Sequence, residues 1–481
     1  MDNIRKKVFS GFIWRFMERI GAQGVGFVVS LFLARLLTPE DYGQVALVTV
    51  FITILNTFAL SGIGTSLIQK KDTDDLDYST VFHFNIVFSL FIYVILFLCA
   101  PLIGKFYSDS SLILLVRVLG ISIIISGANN VQRSYVSKTM QFKRFFFSTL
   151  IGTLISGAVG VAMAYKGFGT WAIVGQQLSN QVVDTVILWF TVGWRPKKEF
   201  SFSRLKNLYS FGWKLLVSSL LDTIYNNIYS LVIGKFYDAN TLGLYNKGVQ
   251  FPKLIVSNIN GPIQSVLLPA MSSEQDNKKR VKEMTRRSIV TSSFFIFPMM
   301  IGMAAIAKPM VILLLTEKWV ACVPFVQISC ISLALYPIHT ANLQAINALG
   351  RSDIFLKLEI IKKIIGLILL VVAIPYGLYI MVWLEVLSGV IASFVNAYPN
   401  KKLLDYSYLE QIKDLIPSIL DAMFMGGVVW GVGLININVI VLIILQIVIG
   451  ACIYFGIAKI FKFECYEYVV GMFRRKRMEN R

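Results

Sequence analysis

Residues 81–104, VFHFNIVFSLFIYVILFLCAPLIG, form an apolar run without a single Asp, Glu, Lys or Arg. A run of this length crosses the apolar core of a bilayer as an α-helix, which needs about 20 residues. Similar runs recur along the whole chain, separated by short polar segments. The pattern predicts about fourteen membrane spans, over residues 11–36, 44–68, 81–104, 112–133, 145–165, 170–193, 209–233, 242–270, 289–315, 324–350, 354–374, 379–398, 416–434 and 439–461.

Composition supports a membrane protein throughout. The 481 residues are 56% hydrophobic with a mean hydropathy of +0.67, and no connector is long enough to fold as a separate catalytic domain. The five cysteines lack metal-ligand spacing, and no P-loop, HExxH or GxSxG motif occurs. We therefore expect a transporter and not an enzyme, with no metal or cofactor apart from a coupling Na⁺ or H⁺; the membrane potential is the alternative driving force.

The net charge of +19 is explained by topology rather than by nucleic-acid binding. With a cytoplasmic N-terminus, the basic clusters at 5–7, 195–206, 278–287 and 474–477 all fall inside, as the positive-inside rule requires. The outside turns carry few basic residues, namely Lys105, Lys166, Lys235 and Lys318. An even number of spans places both termini in the cytoplasm of a bacterial inner (plasma) membrane. The acidic residues of 72–77 also fall inside, where we expect a solvated loop.

A faint internal repeat relates positions 200 residues apart. Gly43 then corresponds to Gly243 and Phe51 to Phe251, and both regions run helix, basic residue, polar turn, glycine, helix. A direct repeat of this period predicts two pseudo-symmetric six-helix lobes and two trailing helices. The predicted domains are residues 1–200 (spans 1–6), 201–400 (spans 7–12), and 401–481 (spans 13–14 with a basic cytoplasmic tail).

Polar side chains inside the predicted spans are the candidate functional residues. Charged groups at membrane depth are costly, so they face a protein interior or a watery cavity. Several of them follow helical spacing, which places them on one face of a helix. The candidate residues of a central, substrate-binding cavity are Arg15, Arg19, Lys214, Asn226, Gln250, Lys253, Asn260 and Gln264. The candidate coupling carboxylates are Asp222, Asp184 and Glu385.

Simpler structural roles remain open for these residues. Arg15 and Lys214 lie within about two turns of a predicted helix end, so either side chain can snorkel to the interface. The polar stripe that runs from Gln250 to Gln264 can serve as hydrogen-bonding contacts between helices instead of a translocation path. Asp222 can be an ion-pair partner instead of a proton carrier.

Four segments resemble a known family. They are residues 34–43 (ARLLTPEDYG), 60–70 (LSGIGTSLIQK), 307–309 (AKP) leading to 316–319 (TEKW), and 348–353 (ALGRSD) followed by 355–359 (FLKLE). These motifs are similar to those of Wzx-type bacterial polysaccharide flippases, in the branch that exports exopolysaccharide and teichuronic-acid repeat units. That branch belongs to the multidrug/oligosaccharidyl-lipid/polysaccharide exporter superfamily, and the resemblance covers residues 1–400.

The resemblance implies fourteen helices in two lobes around a cation-lined cavity that opens alternately to each side. It implies translocation of undecaprenyl-pyrophosphate-linked oligosaccharide to the outer leaflet for surface polysaccharide synthesis, with a polysaccharide polymerase as a further partner. Arg15, Arg19 and Lys214 would then attract the pyrophosphate. The alternative is a cation-coupled multidrug exporter of the same superfamily. It would need an acidic cavity, whereas the inner ends of spans one and seven are basic.

Overall fold

The computed structural model describes residues 2–60 and 62–467, with side chains from Ile13 onwards except those of Arg19 and Phe211. The regular elements in these ranges are all helical, which confirms the predicted all-α class. The helices are α1 (Asp2–Leu36), α2 (Pro39–Leu60), α3 (Ile63–Gln69), α4 (Asp75–Tyr107), α5 (Ser111–Lys138), α6 (Phe142–Tyr165), α7 (Thr170–Thr191), α8 (Phe202–Phe236), α9 (Ala239–Ser272), α10 (Lys278–Leu315), α11 (Val323–Ala334), α12 (Tyr336–Ala348), α13 (Ser352–Ala373), α14 (Leu378–Ala397), α15 (Asn400–Leu403), α16 (Tyr408–Val432) and α17 (Val439–Ile460).

The helices confirm a multi-pass membrane protein. Across the described ranges, ten helical segments are long and apolar enough to span a bilayer. Four further long helices, α7, α8, α9 and α13, coincide with predicted spans but fall outside these ten, because polar or charged side chains interrupt their apolar sequences. The fourteen predicted spans are consistent with this arrangement, and the exact number stays a prediction.

The first of two compact units comprises Met1–Gly243. In it α6 packs along α7 and α1, α4 packs on α5, and α8 contacts α2, α3 and α4. The start of α3 touches α8 backbone to backbone. Gly62 has φ +87°, and a Cβ there would lie 2.1 Å from the carbonyl oxygen of Gly212. Only glycine tolerates both that dihedral and that approach.

The loop before α4 differs from the expectation of a solvated segment. Asp77 is fully buried, and its carboxylate pairs with Lys70 and with Arg204 of α8. Asp74 caps α4 by accepting a hydrogen bond from the Asp77 amide at 2.9 Å, and the Asp77 carboxylate accepts from the Asp74 amide in return. This capping box fixes the start of α4 and ties it to the first turn of α8.

The second unit comprises Leu244–Arg481. In it α10 packs against α16, α11 and α17, and α13 packs against α14. A buried amide cluster links three of its helices. Asn342 of α12 exchanges hydrogen bonds with Gln411 of α16 at 2.8 and 3.0 Å, and Asn400 of α15 donates to the Asn342 side chain at 2.7 Å. Bonded amides of this kind hold apolar helices in one register.

Two predicted spans are each divided in the structure. The span predicted at 44–68 ends as α2 at Leu60 and resumes as α3 after the positive φ of Gly62. The span predicted at 324–350 divides into α11 and α12 around Leu335, because Pro337 cannot continue the hydrogen bonding of α11. The basic tail 474–477 lies outside the described residues. The predicted lobes 1–200, 201–400 and 401–481 rest on the repeat and stay a prediction.

Candidate functional site

A polar cavity of about 440 Å³ lies within the first unit. Helices α1, α3, α5, α6 and α8 all contribute to its wall. Its lining residues are Arg15, Leu60, Gly62, Gly64, Thr65, Ile68, Asn130, Arg133, Ser134, Ser137, Phe145, Leu215 and Ser219. This volume is within the range of small-ligand sites, and the lining contains two guanidinium groups but no carboxylate.

Arg15 of α1 is held at the cavity by an aromatic pair and a carboxylate. Its Cζ lies 4.4 Å from the ring centroid of Phe145 and 4.8 Å from that of Phe142. Its Nη1 donates to Glu18 at 2.9 Å, one helical turn along α1. The side chain is nevertheless 43% exposed, whereas that of Glu18 is 12% exposed. The two phenyl rings and Glu18 therefore hold the guanidinium group in place, and the side chain still lines the cavity.

Arg133 of α5 makes the same two kinds of contact, one with the Phe145 ring and one with a carboxylate. Its Cζ lies 5.3 Å from the Phe145 ring centroid, and its Nη1 donates to Asp184 of α7 at 3.0 Å. Asn129 donates to the same Asp184 oxygen at 2.9 Å. Arg133 is half exposed and Asp184 is almost buried, so Asp184 is the counter-ion that positions Arg133.

Two guanidinium groups that contact the same phenyl ring form an arrangement suited to an anion. Each has five N–H donors and uses Nη1 on its carboxylate. Asn130, Ser134, Ser137 and Thr65 add neutral polar groups to the same wall. Planar guanidinium donors match phosphate oxygens in paired hydrogen bonds. Among the described residues, no group of three His, Cys, Asp or Glu side chains could hold a metal ion.

The other candidates of the first unit lie along α8 or outside the described side chains. Lys214, Asp222 and Asn226 are exposed, and Lys214 immediately precedes Leu215, which lines the cavity. The side chain of Arg19 lies outside the described residues. Arg15 is the predicted binding residue that this cavity contains, and Asp184 joins it through Arg133.

The candidates of the second unit lie on α9 and α14. Tyr245 donates to Glu385 at 3.1 Å, and Lys253 of α9 is exposed. Gln250 is half-buried, and Gln264 donates to Thr340 at 3.5 Å. Asn260 is 2% exposed, and within the described chain neither atom of its amide group has a hydrogen-bond partner. The roles assigned to these residues stay predictions.

Sequence reasoning did not select Asn130, Arg133, Ser134 and Ser137 as site residues. Their spacing of three, one and three residues places them on one face of α5, and that periodicity was a detectable signal. The partnership of Arg133 with Asp184 joins positions 51 residues apart, and no local pattern reveals it.

The helix order and packing match those of solved membrane transporters. The fold is similar to that of the solved structure "Lipid II flippase MurJ, inward closed conformation", with a TM-score of 0.74, 15% identity, and coverage of 94% of this chain and 98% of that one. An inward-facing multidrug resistance MATE family transporter of the MOP superfamily matches with a TM-score of 0.62 and 16% identity, covering 82% and 98%. At such identities the likeness concerns the fold alone.

The family follows from the sequence. The family model described as "Polysaccharide biosynthesis protein" matches residues 32–324, which is more than half of the chain. The chain belongs to this family.

Two curated relatives match over most of their length. Teichuronic acid biosynthesis protein TuaB of Bacillus subtilis is 22% identical, covering 90% of each chain. Lipopolysaccharide biosynthesis protein WzxC of Escherichia coli is 22% identical, covering 89% of each chain.

Proposed function

We propose that this protein is a flippase that moves undecaprenyl-pyrophosphate-linked oligosaccharide repeat units from the cytoplasmic to the outer leaflet of the bacterial inner membrane. The product would feed surface polysaccharide synthesis, with a membrane polysaccharide polymerase as the next partner. This is transport without covalent chemistry, so the chain is not an enzyme. The names of its relatives, teichuronic acid and lipopolysaccharide biosynthesis proteins, support this substrate class.

The observation that carries the proposal is the pair of arginines in a hydroxyl-lined cavity of a membrane protein. The Cζ atoms of Arg15 and Arg133 lie 4.4 and 5.3 Å from the ring centroid of Phe145. A lipid-linked pyrophosphate carries negative charge at the junction of an apolar tail and a polar sugar. Its headgroup therefore requires charged donors within a largely apolar protein, and two oriented guanidinium groups provide them.

The remaining steps follow from the predicted two-lobe arrangement. Both termini face the cytoplasm, so the cavity that contains Arg15, in the N-terminal half of α1, receives the substrate from the inner leaflet. Lobes 1–200 and 201–400 then open alternately to the two sides, and the lipid tail remains in the bilayer. Asn226, Gln250, Lys253, Asn260 and Gln264 would contact the oligosaccharide, with Arg19 and Lys214 as further cations.

Resetting the carrier requires energy, for which we propose a Na⁺ or H⁺ gradient. Asp184 is already engaged by Arg133, so among the three carboxylates it is suited to positioning and less to ion exchange. Glu385 and Asp222 remain candidates for coupling. Glu385 accepts a hydrogen bond from Tyr245, and this acceptor role can change when the carboxylate takes up a proton.

The test is a leaflet assay in cells that lack the gene. Lipid-linked oligosaccharide is labelled, and its accessibility to a membrane-impermeant glycosidase is measured in spheroplasts. Deletion is expected to trap the substrate facing the cytoplasm and to abolish surface polymer. Wild-type protein should restore both, R15A/R133A should restore neither, and R351A should behave as wild type, since Arg351 pairs with Asp353 at an exposed position.

A contrary result would be equally clear. Unchanged polymer and unchanged leaflet distribution on deletion, together with greater sensitivity to cationic dyes, would exclude the flippase and favour a multidrug exporter. Full activity of R15A/R133A would leave the flippase possible but exclude this cavity as the pyrophosphate site.

A further inference from the structure

Asp421 is a buried carboxyl group without a hydrogen-bond partner. It lies on α16, where α10 and α17 pack against that helix, and its exposure is 4%. Neither side-chain oxygen has a partner within the described residues. No other described carboxyl group is buried with both of its oxygens unpartnered. The proposed transport cycle gives Asp421 no role.

The position of Asp421 along α16 makes a permanent charge unfavourable. It follows the first residue of α16, Tyr408, by thirteen positions, or about 20 Å at 1.5 Å per residue, which is too far for an Asp side chain to reach the interface. An Asp at the centre of a membrane helix costs about 2.5–3.5 kcal/mol on insertion scales. An unpaired buried acid avoids this cost by taking up a proton.

The groups around Asp421 do not provide a compensating cation. Tyr454 of α17 is the titratable group beside it, and Ser418 lies near the same hydroxyl. Apart from Asp421, the charged residues on the three packed helices lie towards the helix ends; they are Lys278, Lys279, Arg280, Lys282, Glu283, Arg286, Arg287 and Lys308 of α10, Glu410, Lys413 and Asp414 of α16, and Lys459 of α17. Arg286 is already bound to Asp414 and Glu464. Cys465, beyond α17, contacts Thr291.

Tyr454 connects this carboxyl group to a proline in α10. Its hydroxyl donates to the carbonyl oxygen of Phe294 at 2.8 Å. Pro298 lies four residues after Phe294 and has no N–H, so this carbonyl lacks its usual helical donor. Tyr454 therefore supplies the hydrogen bond that is missing where Pro298 interrupts the backbone hydrogen bonding of α10.

We propose that Asp421 is a proton-binding site whose charge state decides whether Tyr454 bonds to α10 or to the carboxylate. The neutral acid leaves the Tyr454 hydroxyl on Phe294. When the proton leaves to water, the carboxylate becomes a stronger acceptor than a carbonyl, and it attracts the hydroxyl away from α10. A proton fits the site better than Na⁺, because Ser418 and Tyr454 offer too few oxygen ligands for a metal ion.

The proton site itself does not depend on the proposed substrate; only its link to transport rests on the proposed function. Infrared difference spectroscopy of the full-length protein in liposomes tests the site without any substrate. At neutral pH, wild-type protein should show the carbonyl stretch of a protonated carboxylic acid, shifted in D₂O. That contribution should be lost in D421N, displaced in D421E, and unchanged in D353N, in which an exposed Arg-paired carboxylate is removed.

Two outcomes would overturn the proposal. One is a wild-type-minus-D421N difference that contains ionised carboxylate bands at neutral pH. The other is an acid band that disappears on addition of Na⁺, which would identify a metal ion as the ligand.

Y454F should keep the acid band but lose the response of the Phe294 carbonyl to pH, measured with ¹³C-labelled phenylalanine. If D421N fails to fold, the D421E displacement and the Na⁺ titration still decide the question. The leaflet assay then reports separately whether proton binding is coupled to transport.

Discussion

A Cβ atom at Gly43 would lie only 1.6 Å from the carbonyl oxygen of Ala239, so α2 and the start of α9 touch backbone to backbone. The contact is reciprocal, since a Cβ at Gly243 would lie 1.9 Å from the carbonyl oxygen of Pro39. Gly43 and Gly243, like Pro39 and Ala239, are 200 residues apart. The faint repeat in the sequence thus corresponds to two turns that pack on each other symmetrically within residues 1–243.

Replacing Gly43 by alanine should destabilise this contact. The added methyl group cannot fit against a backbone carbonyl, and overpacking of this kind costs about 1–3 kcal/mol. G43A and G243A should each lower the thermal unfolding temperature of the purified protein in detergent. G427A is the matched control, because a Cβ there meets nothing within 4 Å. Equal unfolding temperatures for G43A and G427A would show that the two turns can separate at no cost.

Arg133 and Asp184 should be energetically coupled. Removing Arg133 leaves the nearly buried Asp184 with Asn129, and an under-satisfied buried charge costs about 1–3 kcal/mol. Removing the charge of Asp184 leaves a half-exposed arginine that water can solvate, so D184N should cost less than R133A. The double variant R133A/D184N should therefore be more stable than the sum of the single effects predicts.

A double-mutant cycle on unfolding free energies measures this coupling, which we expect at about 1–2 kcal/mol. The exposed pair Arg351 and Asp353 is a matched control, with an expected coupling of about 0–1 kcal/mol. If the two pairs give the same coupling free energy, Asp184 does not act as the counter-ion of Arg133. That result would favour the alternative role of Asp184 as a coupling carboxylate.

Most of the fold can be predicted from the sequence, because its main signal is the recurrence of long apolar runs. These runs are recognised along the chain without knowledge of contacts between distant helices. The run 81–104 lies inside α4, which begins at Asp75, and Pro337 marks the break between α11 and α12. The site was only partly predictable. Arg15 is conspicuous as a charge in an apolar run, whereas Arg133 becomes a site residue through Phe145 and Asp184. These contacts join distant helices, and hydrophobic periodicity contains no information about them.

Stability should depend on acid pH through Asp74. Hydrogen bonding from the backbone of Asp77 holds the pKa of the Asp74 carboxyl group below its ordinary value, with a further contribution from Arg204. Since the pKa is lower in the folded state, this stabilisation is present above about pH 4 and is lost as pH falls through the lowered pKa. D74N should flatten this acid loss, because Asn still caps the helix but does not titrate.

Chemical unfolding at several pH values checks this dependence, with D72N as a control in the same exposed loop. D74N should remain close to wild type in stability at neutral pH and lose less stability below about pH 4. A wild-type profile that D74N leaves unchanged would assign the acid sensitivity to other carboxylates.

The guanidinium group of Arg15, rather than its charge alone, should determine pyrophosphate binding. Arg15 stacks on Phe145 and Phe142 at 4.4 and 4.8 Å, and a planar fork can hold a phosphate in paired hydrogen bonds while it stacks. Lysine keeps the charge but loses the stacking and the fork. R15K should therefore weaken binding of undecaprenyl pyrophosphate by roughly tenfold, or about 1.4 kcal/mol, as measured by native mass spectrometry on purified protein. R117K is the matched control, because Arg117 stacks on Phe97 at 4.3 Å but does not line the cavity. If R15K binds undecaprenyl pyrophosphate like wild type while R15A does not, only the charge at this position determines binding. Phe145 would then pack in the protein interior without orienting the arginines for the ligand.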